Sequence, residues 1–306
     1  MHINFKQKIA LACAVLLITT LPAQAQLNIF ACEPEYAALA KEIAGEEANI
    51  FSATTAKQDP HFVQARPSLI SKMRRADVVI CAGADLEIGW LPMLQMKSNN
   101  RDVQSTDKGL FLASDHVENL DVLVNVDRSM GDVHELGNPH VHLDPFRISS
   151  LAESFTTKLV QLDAKNAALY QQNLVSFSER WQVATSKWQQ QAKPLQGVKV
   201  IAYHSSFKYL FEFLGMQQVG DLEPKPGLPP TSSHLLSVLD IAKQQQIKLV
   251  VYTTYQDEKA ANWLQDKTDI VSLQLPYTVG GNDQSRDLFT LMDQHISMLL
   301  LASQQK

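Results

Sequence analysis

Apolar residues recur along this chain in two rhythms. Short unbroken runs such as Leu27-Asn28-Ile29-Phe30-Ala31 and Val78-Val79-Ile80 predict strands. Between them the apolar positions return at helical spacing. Residues 35–44 place Leu39, Ile43 and flanking alanines on one face. Residues 68–76 begin after Pro67 and end in Lys72, Arg74 and Arg75, cations that suit a helix C-terminus. Strands alternating with helices predict a parallel sheet covered by helices.

From Arg147 to about Gln191 the chain has no proline and no glycine, while Leu151, Phe155, Leu159, Leu162, Leu169, Leu174, Phe177, Trp181 and Trp188 recur at helical spacing. This predicts one long helix between two lobes, with a helical turn-back as the variant. The alternation then resumes, with strands at 198–203, 248–252 and 270–275 and helices at 207–214, 232–245, 258–265 and 287–301. The run Glu223-Pro224-Lys225-Pro226-Gly227-Leu228-Pro229-Pro230 predicts a stiff extended loop. The expected fold is α/β. An N-terminal lobe (26–146) and a C-terminal lobe (194–306), each a parallel sheet covered by helices, are joined by one long rigid helix (147–193).

The N-terminus modifies that picture. Lys6 and Lys8 precede an apolar stretch from Ile9 to Leu21, and Pro22-Ala23-Gln24-Ala25 supplies a small-residue cleavage site, so residues 1–25 are expected to be a secretory signal peptide and the protein to be periplasmic. The apolar stretch is too short to span a bilayer. The alternative of acylation at Cys13 is disfavoured because the apolar region runs on past it. Removing residues 1–25 takes away two lysines and no acid, shifting the formal charge from −5 to −7. A mildly acidic chain without a basic cluster argues against nucleic acid or anionic lipid as a partner. Cys32 and Cys81 each end an apolar run; neighbouring strands would let them pair, and two buried thiols are the alternative.

His61, His140 and His204 are the candidate chemistry. They stand in Asp59-Pro60-His61, in Asn138-Pro139-His140, and directly after a predicted strand. Ligands of open α/β sheets collect at the carboxyl ends of strands, and neutral imidazole is the commonest metal ligand. Singly, each histidine reads as a solvated or hydrogen-bonded loop residue before it reads as a ligand. Their surroundings decide otherwise.

Asp59-Pro60-His61, Pro67-Ser68, the stretch from Ala76-Asp77 through Gly83, Glu87 and Trp90, Asn138-Pro139-His140-Val141-His142-Leu143-Asp144-Pro145, Tyr203-His204-Ser205-Ser206-Phe207 and the loop Glu223-Pro224 to Pro230-Thr231 follow one another at characteristic spacing. In these segments the chain resembles the zinc- and manganese-binding solute-binding proteins of bacterial ABC importers, through nearly its whole length. The resemblance implies a metal held in the cleft between two lobes by His61, His140 and His204. His142 rivals His140 and alternatively supports it from outside the ligand shell. For the fourth position the resemblance suggests an aspartate after the last strand. Asp283 is the expected ligand, Asp287 a helix cap, and water the competitor.

Three imidazoles and at most one carboxylate suit tetrahedral zinc, whereas manganese calls for more oxygen. The resemblance therefore implies a periplasmic, high-affinity zinc-binding protein, not an enzyme, that delivers Zn2+ to an ABC permease in the inner membrane and acts as a monomer. His134, with Asp132, Glu135, Asp115 and His116, is either a solvated loop or an arm that captures zinc or docks a periplasmic zinc chaperone. Two alternatives are a manganese-binding member of the same family and an exported zinc hydrolase. The hydrolase would need a base, for which Glu33 and Glu87 are the candidates.

Overall fold

The computed structural model describes residues 26–127 and 130–305, so the expected signal peptide and Cys13 lie outside the described residues. Two four-stranded sheets are present, both wholly parallel. The first holds β1 (Leu27–Ala31), β2 (Ala48–Ser52), β3 (Val78–Cys81) and β4 (Leu110–Leu112) in the order β2-β1-β3-β4. The second holds β5 (Lys199–Ala202), β6 (Gln217–Asp221), β7 (Leu249–Tyr252) and β8 (Val271–Gln274) in the order β6-β5-β7-β8. The two orders are equivalent, so each lobe has its topological switch point between its first and third strands, where loops diverge and ligands collect.

Helices α1 (Pro34–Ala44), α2 (Pro67–Arg74) and α3 (Leu91–Ser98) belong to the first lobe. The second lobe carries α6 (Lys208–Leu214), α7 (Ser232–Gln245), α8 (Lys259–Asp266) and α9 (Leu288–Ser303). Between them run α4 (Pro145–Leu162) and α5 (Ala167–Gln191). The two-lobed parallel α/β architecture is the expected one. Strands β1, β3, β5 and β7 are the central ones, and their apolar runs follow from burial on both faces. Strands β2, β4 and β6 were not foreseen. They are short edge strands, and the polar residues of Ala48–Ser52 and Gln217–Asp221 hide them from a hydrophobicity pattern.

The connection differs from a single helix. Asp163 leaves helical geometry (φ −139°, ψ 63°), and its carboxylate accepts from Asn166 Nδ2 (2.8 Å) and the Tyr170 hydroxyl (2.6 Å). Asp and Asn bond locally in place of the helix ladder, so a sequence without proline or glycine still turns here. The chain folds back, and Trp181 donates its indole N–H to the Pro145 carbonyl at 2.7 Å. At 25 residues, α5 spans about 37 Å. It packs along α1 of the first lobe and α9 of the second. One apolar core runs through this junction, including Tyr36, Phe155, Trp181, Tyr209, Tyr277 and Leu288. The adjacency of β1 and β3 brings Cys32 and Cys81 to a Cα separation of 4.8 Å, where they form a disulfide.

Candidate metal centre

Two Asx-Pro-His turns carry the first two imidazoles. The Asp59 carboxylate accepts the His61 backbone N–H at 3.0 Å and meets His61 Nδ1 at 2.7 Å. Asn138 Oδ1 accepts the His140 N–H at 3.0 Å in the same way. In both, proline presets the turn while the Asx side chain closes it. The indole N–H of Trp90 donates to the Pro60 carbonyl at 2.8 Å, fixing the first turn. Asn138 Nδ2 donates to the Ser205 carbonyl at 3.0 Å, tying the second turn to the opposite lobe beside His204. His204 itself directly follows Tyr203 at the end of the second lobe's first strand.

The three rings converge. One ligand atom from each of His61, His140 and His204 lies within 4.8 Å of the others. Their ring centroids are 6.0 Å (His61–His140), 5.9 Å (His61–His204) and 5.8 Å (His140–His204) apart, a nearly equilateral triangle. Each Nδ1 has a protein partner: Asp59 for His61, the Tyr277 hydroxyl (2.7 Å) for His140, and Glu223 Oε2 (2.8 Å) for His204. A proton held on Nδ1 leaves Nε2 as the lone-pair donor, which is the metal-binding tautomer. The Nε2 atoms of His140 and His204 are buried without a hydrogen-bond partner. Such orphaned acceptors are costly and call for an explanation; a shared cation supplies one.

Electrostatics favour a neutral His140 ring. Burial, and then the neighbouring His204 and His61, hold the His140 imidazole well below its ordinary pKa. Burial raises Asp59, but its hydrogen bonds and charge pairing with His61 outweigh that and lower its pKa.

His142, the rival ligand, is turned away. Its Nε2–H donates to the Tyr277 carbonyl at 3.1 Å and its Nδ1 faces Glu35 Oε1 at 3.2 Å. Asp283 does not join the triangle. It is exposed, on a loop closed upon itself by Gly280 N–H to the Ser285 carbonyl (2.6 Å) and by Asn282. Asp287 caps α9, accepting from Thr290 N–H at 2.7 Å in a capping box. The segment after β8 thus contributes Tyr277, a supporter of His140, where an aspartate was expected. Tyr277 and Glu223, which hold the Nδ1 atoms of His140 and His204, are residues that the sequence did not single out for the site.

His134 lies beside the centre, with Nε2 3.3 Å from His61 Nε2. Burial, and then His61 and His204, push its pKa down to about 4. His116 instead stacks on Phe111 at 4.2 Å, apart from His134. His234 Nε2 donates to the Asp221 carbonyl, and His295 is a buried packing residue against Pro276. Glu87 accepts from the Ala82 and Gly83 N–H groups, and it lies with Glu33 in the buried interior near the disulfide.

Fold and site geometry define a class: a two-lobed parallel α/β protein with a cluster of metal-competent imidazoles drawn from both lobes. Residues 29–300 match the family described as "ZnuA: Zinc-uptake complex component A periplasmic", and the chain belongs to that family of metal ABC transporter substrate-binding proteins. It is 21% identical over 308 residues to the zinc-binding lipoprotein AdcA of Streptococcus pneumoniae, covering 97% of this chain and 60% of AdcA. The chain therefore spans somewhat under two thirds of that relative. It is 24% identical over 243 residues to the manganese ABC transporter substrate-binding lipoprotein PsaA of Streptococcus pneumoniae, covering 76% of this chain and 74% of PsaA. Its fold matches a crystal structure of ZnuA with a TM-score of 0.74 at 20% identity, covering 90% of this chain and 99% of that one.

Proposed function

We propose that this protein captures Zn2+ between its lobes with His61, His140 and His204, and delivers it to an ABC importer permease. The observation that carries this reading is the pattern of ring contacts: three Nδ1 atoms have protein partners and the Nε2 atoms of the buried His140 and His204 are left unpartnered. Nothing in that arrangement needs a catalytic base. The carboxylates considered for a hydrolase, Glu33 and Glu87, are 1% and 2% exposed, and Glu87 is taken up by the Ala82 and Gly83 N–H groups. Nitrogen-only donors favour zinc over manganese, which prefers carboxylate, carbonyl and water oxygen. The protein acts as a monomer in the exported compartment after cleavage following Ala25. No helix among the described residues is long and apolar enough to cross a membrane.

Metal analysis and competition titration test the reading. We expect one Zn2+ per chain, loss of tight binding on replacing His61, His140 or His204 by alanine, and wild-type affinity in Asp283→Ala. Preference for Mn2+ over Zn2+ in the same titration would instead make it a manganese member of the family.

A further inference from the structure

Three imidazoles leave a tetrahedral zinc one donor short. The two acids that the sequence offered are engaged elsewhere: Asp283 on its exposed loop and Asp287 at the start of α9. His134 is not. Its Nε2 stands 3.3 Å from His61 Nε2, with ring centroids 5.4 Å from His61 and 6.5 Å from His140. Two nitrogens bound to one tetrahedral Zn2+ at about 2.05 Å lie about 3.3 Å apart, because that distance is an edge of the tetrahedron. That one edge is thus the length joint ligation requires; His134 stands outside the cluster in which His61, His140 and His204 lie within 4.8 Å of one another, so its remaining edges close as the ion binds. His61 spends its Nδ1 on Asp59, so the nitrogen that His134 faces is the ligand nitrogen.

We propose that His134 is the fourth zinc ligand, completing an all-imidazole shell. This assignment rests on the reading of the three-histidine centre as the metal site.

The loop that carries His134 is built to deliver it. Asp132 N–H donates to the Pro226 carbonyl at 2.9 Å, joining this loop to the proline-rich loop of the opposite lobe. The loops meet through glycines. A Cβ on Gly131, whose φ is +88°, would stand 2.5 Å from the Pro226 carbonyl oxygen, so only glycine fits there. Gly227 N–H in turn donates to Glu223 Oε2 at 3.1 Å, the same oxygen that anchors His204. The loop contact therefore positions His134 and, through Glu223, His204. A cavity of about 580 Å³ lined by His61, His134, Phe62 and Ile88 reaches the centre from the first lobe and touches neither His140 nor His204. Along this larger cavity His134 and His61 are the lining imidazoles, while a smaller pocket is lined by His61 and His204.

Zinc K-edge X-ray absorption on the full chain with one equivalent of Zn2+ tests the assignment. We expect four imidazole scatterers in the wild type and three plus one light oxygen donor in His134→Ala. The variant should retain one zinc per chain, with affinity lowered at least about tenfold, the loss typical of even an outer-shell partner. Gly131→Ala, which touches no ligand, should reproduce that spectrum by separating the loops. Three imidazoles in both wild type and His134→Ala, with equal affinities, would overturn the assignment and leave the three-histidine site standing. A wild type that takes up no zinc would overturn both.

Discussion

At the scale of single residues, the atoms behind the ligands matter as much as the ligands. Tyr277→Phe removes the hydroxyl that holds His140 Nδ1 while keeping the ring that fills the core. Its zinc affinity should fall about 10- to 100-fold, as for other outer-shell partners, and the metal-free protein should melt somewhat lower because the buried His140 Nδ1 loses its partner; competition titration and calorimetry measure the two effects. The buried carboxylates give a second expectation. Burial, and then the charges of Glu87 and Glu35, hold Glu33 well above its ordinary pKa, and Glu87 is raised to about 7. A raised carboxyl pKa stabilises the fold at low pH and loses that contribution as pH rises through the folded value. Glu33→Gln should therefore gain stability over the wild type progressively as pH rises above the ordinary carboxyl range and gain nothing below it, read as urea midpoints against pH. The three candidate histidines were legible in the sequence because each stands in a local motif, weak alone, and the motifs in order carry the family resemblance. Tyr277 and Glu223 were not, because their roles depend on where separate loops meet. Asp283 was misplaced because the loop after β8 closes on itself and presents the acid to solvent.

At the scale of elements, the central strands and most helices follow from runs and periodicity, while edge strands and the interhelical turn do not. The turn at Asp163 is fixed by side-chain bonds, not by glycine or proline, so it leaves no strong mark on the pattern. The indole N–H of Trp181 pins α5 to the start of α4. Trp181→Phe should cost about 1–3 kcal/mol by losing this buried hydrogen bond and leaving a small cavity, seen as a lower melting temperature. Helix α9 carries a pH-sensitive group. Burial lowers the His295 pKa from 6.5 to about 4, opposed only in part by its Pro276 hydrogen bond. The unfolded chain then binds the proton first, so the stability tied to neutral His295 is intact above about pH 6.5 and lost as pH falls towards 4. Replacing it with glutamine, which keeps a donor for the Pro276 carbonyl, should flatten the acid limb of the metal-free protein's stability curve.

Across the whole molecule, two lobes with the same strand order place their loop edges face to face, and the long helices and shared core hold them so. The candidate site draws His61 and His140 from one lobe and His204 from the other. Glu35 of α1 meets Thr278 beyond β8, and Thr254 donates to the Ala56 carbonyl at 2.5 Å, so protein contacts already span the cleft. A cation held there binds only the folded arrangement and stabilises it by mass action, by about 2.7 kcal/mol at a free concentration a hundred times Kd. The same coupling makes binding fail in acid, as the imidazoles take up protons. The most direct test is calorimetric unfolding of the metal-free protein at neutral pH, with and without one equivalent of Zn2+, in the wild type and in His140→Ala. A zinc-dependent rise in melting temperature in the wild type that disappears in His140→Ala is the predicted result. An unchanged wild-type melt, or an equal rise in both proteins, would contradict a zinc site built on these three histidines.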